Sequence, residues 1–366
     1  MNKEVSIRQI VTMYLFLSIS PILRQIPSAL ASEAGRSGYL SPLWAVIPLL
    51  PLTGIILFLM KRYPGLNLYE IMEHLAGKFI AKVIILGYLI WFVILLTAKV
   101  NIYSLTLQFT LMPKTRSDFF MVIIILLVYY ALMRGMKTIF RFSEFTLGPI
   151  LFIIGILFFC ALSRLRTDYL LPVSTFRLPS TVLASQNVIA VGGNIVIALF
   201  FADKYGISVT KKQKRKIWYG VLFFVVLCFS VTIFTFGITG ADLTANLPFP
   251  FYITVKSISF FNIFERFEVL VTLICVLSDF ISICILAVLM MRCLYWLFGI
   301  KQNGYLFLPV TIIIYYLTYF ISSTQFEFNT LYRSILIYLN LIFQYPIPIF
   351  LGFLSIVRRK KIKQQY

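Results

Sequence analysis

The chain has one histidine, His74, and its five cysteines, Cys160, Cys228, Cys275, Cys284 and Cys293, have neither Cys-x-x-Cys spacing nor a histidine nearby. A protein metal site draws three or four such ligands together, so this scarcity argues against one. The cysteines all fall in apolar stretches and read as small buried membrane residues, not as a disulfide framework. His74, beside Glu73, reads as a solvated loop residue. Charge is sparse too: Asp, Glu, Lys and Arg make up 13% of 366 residues, and only 13 residues are acidic. No nucleophile–base pair, metal cluster or phosphate-binding loop stands out, so no enzymatic reaction and no cofactor is expected. No polar stretch is long enough for a sizeable soluble domain.

Apolar sequence is plentiful. Hydrophobic residues make up 60% of the chain and the mean hydropathy is +0.92, which reads as an all-α polytopic membrane protein. A span takes about 20 residues, so about ten spans use about 200 and leave only loops. The whole of 1–366 is then one integral membrane domain. The net charge of +20 has no aromatic-plus-basic soluble module beside it, so nucleic acid is not the expected partner. The positive residues alternate between loops, and anionic membrane lipids are. Lys3, Arg8 and Ala29-Leu30-Ala31 resemble a signal peptide, but Arg24, Pro27 and Glu4 interrupt that pattern and cleavage is not expected.

The most informative stretch is Ile189-Ala190-Val191-Gly192-Gly193-Asn194-Ile195-Val196, within an apolar run from about Val182 to Phe201. Paired glycines weaken a helix, and an amide in hydrocarbon needs a protein partner or a wet cavity. A second interruption lies in the first segment, where Ser18-Ile19-Ser20-Pro21 is followed by Arg24. Two interrupted segments opening the two halves of a chain point to a midplane binding site between broken helices. The alternative is close helix packing at the glycines and a simple kink at Pro21.

Segment 1 runs from about Ile10 to Ala34, broken near Ser20-Pro21. Segment 2 covers Leu43 to Met60. Between Tyr63 and Lys78, Leu68, Ile71, Met72 and Leu75 recur at helical spacing and predict a short interfacial helix. Segments 3, 4 and 5 cover Phe79 to Leu105, Phe119 to Met133 and Phe145 to Leu162, with Lys99 and Asn101 assigned to the far end of segment 3. Segment 6 is the interrupted one, 7 runs from Ile217 to Thr239, and 8 from Phe267 to Met290. Gly240 to Arg266 reads as a re-entrant or surface stretch at the outer mouth. Segment 9 is Leu306 to Ser322, and 10 is Ile335 to Val357, kinked by Pro346 and Pro348. A basic tail occupies 358–366. Breaks in segments 1 and 6 suggest an inverted five-plus-five repeat, with segments 1–5 over about 10–162 and 6–10 over about 182–357.

With both termini cytoplasmic, 22 Lys and Arg fall inside, ten outside (Lys99 the weakest of these) and Arg24 within segment 1. Arg24 and Asp279 are the most costly side chains at mid-membrane and are expected to pair. Arg24 then either holds an anionic ligand group, with Asp279 bonding a cation or loosened backbone, or the two form a static pair.

Three features carry a family resemblance: the exit of segment 1, Pro27-Ser28-Ala29-Leu30-Ala31-Ser32-Glu33-Ala34-Gly35-Arg36-Ser37-Gly38-Tyr39-Leu40; the Gly192-Gly193 break; and Phe264-Glu265-Arg266-Phe267-Glu268 before segment 8. On these the chain resembles the spore-germination permease-like family, the B subunits of bacterial germinant receptors, within the amino acid–polyamine–organocation superfamily. The resemblance implies an amino-acid-transporter fold in the spore inner membrane. It also implies an A subunit and a lipoprotein C subunit as partners, and a small-molecule germinant bound around broken helices 1 and 6. Carried over, it marks Ser20, Pro21 and Ile22 in segment 1, Gly192, Gly193 and Asn194 in segment 6, and Tyr88 or Trp91 in segment 3. The chain departs from the family in lacking a Gly-x-Gly break in segment 1 and in having Asn194 where glutamate often follows the glycines. A germinant receptor, a secondary transporter of amino acids or related solutes, and a structural subunit with a decayed pocket all remain compatible with these residues.

Overall fold

The computed structural model describes residues 5–171, 178–204, 210–257, 267–299, 307–321 and 335–358, with 327 and 330. Every regular element among them is a helix, the form in which an open chain can satisfy its own backbone in hydrocarbon. The protein is an all-α polytopic membrane protein. Helices occupy each of the ten segments expected. Seven stretches are long and apolar enough to cross a membrane by length and composition, while Ser117–Met133 and Leu308–Phe320 are apolar but shorter.

Segment 1 folds as α1 (Ile7–Arg24) and α2 (Ile26–Ala34). Ser6 and Gln9 cap α1 reciprocally. The break expected at Ser20-Pro21 lies instead at Gln25. Pro21 is held inside α1, and the Gln25 N–H still reaches the Pro21 carbonyl at 2.9 Å. The cause is Pro27: it has no N–H and is best tolerated in a first turn, so a new helix starts just before it.

A 3-10 turn (Gly35–Leu40) and α3 (Ser41–Trp44) lead into α4 (Val46–Arg62). The predicted interfacial helix is α5 (Leu68–Ala76), capped by Asn67 and Glu70, and its four apolar positions Leu68, Ile71, Met72 and Leu75 are all buried. α6 (Lys78–Thr110) and α7 (Ser117–Met133) follow. α8 (Met136–Leu162) starts upstream of the expected Phe145.

Segment 6 comprises α9 (Leu178–Gly192), a 3-10 turn at Gly193–Val196, and α10 (Ile197–Phe200). The glycine pair therefore tightens the helix instead of opening it. α11 (Lys211–Thr239) draws the basic run from Lys211 to Lys216 into its first turns through a Thr210–Gln213 cap. The mouth stretch holds α12 (Ala241–Asn246) and α13 (Pro250–Lys256), with Phe249, Phe251 and Val255 buried. α14 (Glu268–Phe298) and α15 (Phe307–Ile321) precede a last span split at Tyr345 into α16 (Ile337–Gln344) and α17 (Pro346–Val357), as Pro346 dictates. Phe264, Glu265, Arg266, Pro172 and 359–366 lie outside the described residues.

α1 and α14 form the centre. Every residue from Thr12 to Arg24 on α1, and from Ile281 to Cys293 on α14, is buried around the full circumference. The Ser278 and Ser282 hydroxyls both donate to the Phe16 carbonyl at 2.9 Å, tying α14 to α1. α6 packs along α14 and completes the wall against which the interrupted helices stand.

Candidate ligand-binding site

Arg24 leaves the last turn of α1, a favourable place for a cation, and is buried. Its Nη2 donates to Asp279 Oδ2 at 2.5 Å and to the Ser20 hydroxyl; its Nη1 donates to the Thr106 hydroxyl and, at 3.4 Å, to the Ile102 carbonyl. Arg24 and Asp279 thus pair between segments 1 and 8. Lys99 joins them, with its Nζ 3.7 Å from Asp279 Oδ1. It lies well inside α6 and not at the outer end of segment 3, because that helix continues to Thr110. One carboxylate faces two cations.

Beside this triad is a cavity of about 50 Å³. Leu17, Pro21 and Gln25 line it from segment 1, and Leu95, Ala98, Lys99 and Ile102 from α6. Val191 and Asn194 come from the interruption of segment 6, Leu286 from α14, and Leu336 and Asn340 from segment 10. The two interruptions therefore meet at one space.

The residues marked from the sequence take different places around it. Pro21 and Asn194 line the cavity. Ser20, Arg24 and Asp279 are not among its lining residues, and Arg24 bonds both of the others. Ile22 is fully buried in packing. Tyr88 lies in an aromatic cluster with Phe92, Phe200 and Phe343, its hydroxyl donating to the Phe343 carbonyl at 2.8 Å. Trp91 is one layer removed: its Nε1 donates to Asn340 Oδ1 at 2.9 Å and so orients a lining residue.

Gly192 and Gly193 face neighbouring helices. A Cβ on Gly192 would meet Leu49 and Phe224 at 2.8 Å, and one on Gly193 would collide with the Gln344 side chain and come within 2.9 Å of the Tyr345 ring. Glycine is present here so that α4, α11 and segment 10 can approach closely. Segment 10 also grips the turn directly: Gln344 Nε2 donates to Asn194 Oδ1 at 2.9 Å, and the Tyr345 hydroxyl to the Ile189 carbonyl at 3.1 Å.

Gln25, Lys99 and Asn340 were not marked from the sequence. Lys99 had a signal, since Trp91, Leu95, Lys99 and Ile102 follow one helical stripe from a residue already singled out. Below α10, Arg292 of α14 donates to the Phe200 carbonyl and, at 2.7 Å, to Asp203, and lies over the rings of Phe201 and Trp296, closing the end of segment 6. Among the described residues no group of His, Cys, Asp and Glu could hold a metal ion.

Residues 4–329 match the model of the family described as spore germination protein. The chain is 20% identical over 250 residues, 68% of either chain, to YfkT of Bacillus subtilis (strain 168), a candidate spore germination protein. Its fold is similar to the crystal structure of a mutant of the Eremococcus coleocola manganese transporter. The TM-score is 0.57 at 12% identity, covering 95% of this chain and 77% of that one. At that identity the likeness concerns the fold alone.

Proposed function

The chain belongs to the spore germination protein family, and on that premise we propose that it is a germinant-receptor B subunit. It binds a small, amino-acid-like nutrient at the midplane cavity and signals through an A subunit and a lipoprotein C subunit. It does so in the spore inner membrane, with both termini cytoplasmic. The observation that carries this reading is the cavity between the two interrupted helices, with Gln25, Lys99, Asn194 and Asn340 as its polar wall.

Two of those lining groups are held from behind by groups packed around segment 10. Asn194 accepts from Gln344, and Asn340 accepts from Trp91. A ligand bonding Asn194 and Asn340 changes the balance of contacts that hold segment 10 against the Gly193–Val196 turn. Differential affinity for two arrangements of segment 10 is what turns binding into a signal.

The test is germination of spores lacking this chain, screened across amino acids, sugars and nucleosides. Loss of response to one nutrient is expected, restored by the wild-type chain but not by Asn340→Leu, which fills the cavity while the protein still reaches the membrane. Unchanged germination across the whole panel overturns the receptor reading. Nutrient-dependent uptake into proteoliposomes holding the chain alone replaces it with secondary transport through the same cavity.

A further inference from the structure

We propose that the cavity beside Lys99 is an anion site that takes a compact group of single negative charge, a halide or a short carboxylate, with the Lys99 ammonium as its charge partner. This deepens the receptor reading by naming the charge and size of what the cavity accepts, and it rests on that reading only for the link to germination.

The first argument is charge. Arg24 is bonded at both terminal nitrogens and meets Asp279 at 2.5 Å. Lys99 stands 3.7 Å from the other carboxylate oxygen, beyond ordinary hydrogen-bond length, and lines the cavity. Asp279 is matched by Arg24, which leaves the Lys99 charge in excess. An uncompensated cation inside a membrane is costly. One negative charge in the cavity neutralises it, and a second would reverse the imbalance.

The second argument is the polarity of the wall. Asn194 and Asn340 both line the cavity, and both side-chain carbonyls are already engaged, by Gln344 Nε2 and by Trp91 Nε1. The NH2 group of each amide, a donor, is the end these two bonds leave unengaged. With the Lys99 ammonium, two elements of the wall besides α6 thus offer donors. Gln25, 7% exposed and also lining the cavity, has a side-chain oxygen without a partner among the described residues. Amide oxygen and nitrogen are assigned by their bonding partners, so an anion at this wall would be met by the Gln25 nitrogen. Donors around an excess positive charge suit an anion and repel a cation.

Size supplies the limit. A water needs about 10–15 Å³ of such space, so the cavity of about 50 Å³ favours compact groups such as chloride, formate and acetate over gluconate.

The test uses the full chain in lipid nanodiscs, with sodium and ionic strength fixed while gluconate is exchanged for chloride or for acetate. Binding to the folded state raises the unfolding temperature in a saturable way. A rise with chloride, with acetate or with both is expected in the wild type, and which one acts identifies the source of the charge. Lys99→Gln keeps the Arg24–Asp279 pair and should fold, with apparent affinity lower by at least about tenfold, equivalent to about 1.4 kcal/mol. Lys99→Arg, which restores the charge, should recover most of the loss. Equal unfolding temperatures of the wild type in all three salts overturn the proposal, and so does an unchanged dose response in Lys99→Gln. Anion binding combined with normal germination of spores lacking the chain removes the receptor reading and leaves this one. Loss of a nutrient response without any anion effect does the opposite.

Discussion

A lone charge inside an apolar segment must find a partner, and the Arg24–Asp279 pair follows from that rule. The presence of Lys99 makes the two partners unequal. In Arg24→Gln the carboxylate keeps a cation 3.7 Å away that can close onto it. In Asp279→Asn two cations face each other with no carboxylate between them. Removing one partner of a buried pair typically costs about 3–5 kcal/mol. Asp279→Asn should lie at or beyond the upper end of that range and Arg24→Gln below it, as read from membrane protein level and unfolding temperature. The double variant should regain protein level; regained nutrient response marks a static pair, and its absence marks a pair that contacts ligand. Equal effects of the two single changes would show that Lys99 does not share the carboxylate. The pair was legible because each residue interrupts an apolar run at its centre. Lys99 was misplaced because the segment was ended at Leu105, whereas α6 continues to Thr110 and draws the lysine inward.

At the scale of elements, the sequence marked both interruptions but not what leans on them. Gly192-Gly193 announced an irregular turn, and a 3-10 turn is there. That segment 10 packs against it is a contact about 150 residues apart in sequence, and no local pattern encodes such a pairing. Local periodicity did suffice for α5, where four apolar positions at helical spacing became its buried face. Proline chemistry placed the segment 1 break near Pro21 but did not weigh it against Pro27, whose need for a first turn moved it to Gln25. The packing at Gly193 yields a double-mutant cycle. Gly193→Ala forces the Gln344 side chain away and so loses its bond to Asn194. Gln344→Ala loses the same bond, about 1 kcal/mol, and also vacates the space. The double variant should therefore lose clearly less unfolding free energy than the sum of the singles. Strict additivity would mean that the two side chains do not meet.

At the scale of the whole molecule, orientation rests on basic residues that the fold redistributes only slightly. On the expected orientation, with both termini cytoplasmic, placing Lys99 in the cavity wall turns ten outside into nine against 22 inside, so the expected bias grows. The decisive crossing is segment 6. Leu178–Phe200 has 23 residues, which at about 1.5 Å each gives about 34 Å, enough for a hydrocarbon core of about 30 Å. The 3-10 turn within it rises more steeply per residue and lengthens it slightly. If it crosses, its two flanks lie on opposite sides. Asp168 sits in a short turn after α8, and Lys212 in the first turn of α11. The native cysteines are all buried, so an introduced thiol is read against a low background. In intact cells an impermeant maleimide should label Asp168→Cys, while Lys212→Cys should react only after the membrane is opened. Labelling of both from one side would mean that segment 6 does not cross. The ten-span arrangement would then fail, and with it the placement of Asn194 at mid-membrane, which depends on that crossing.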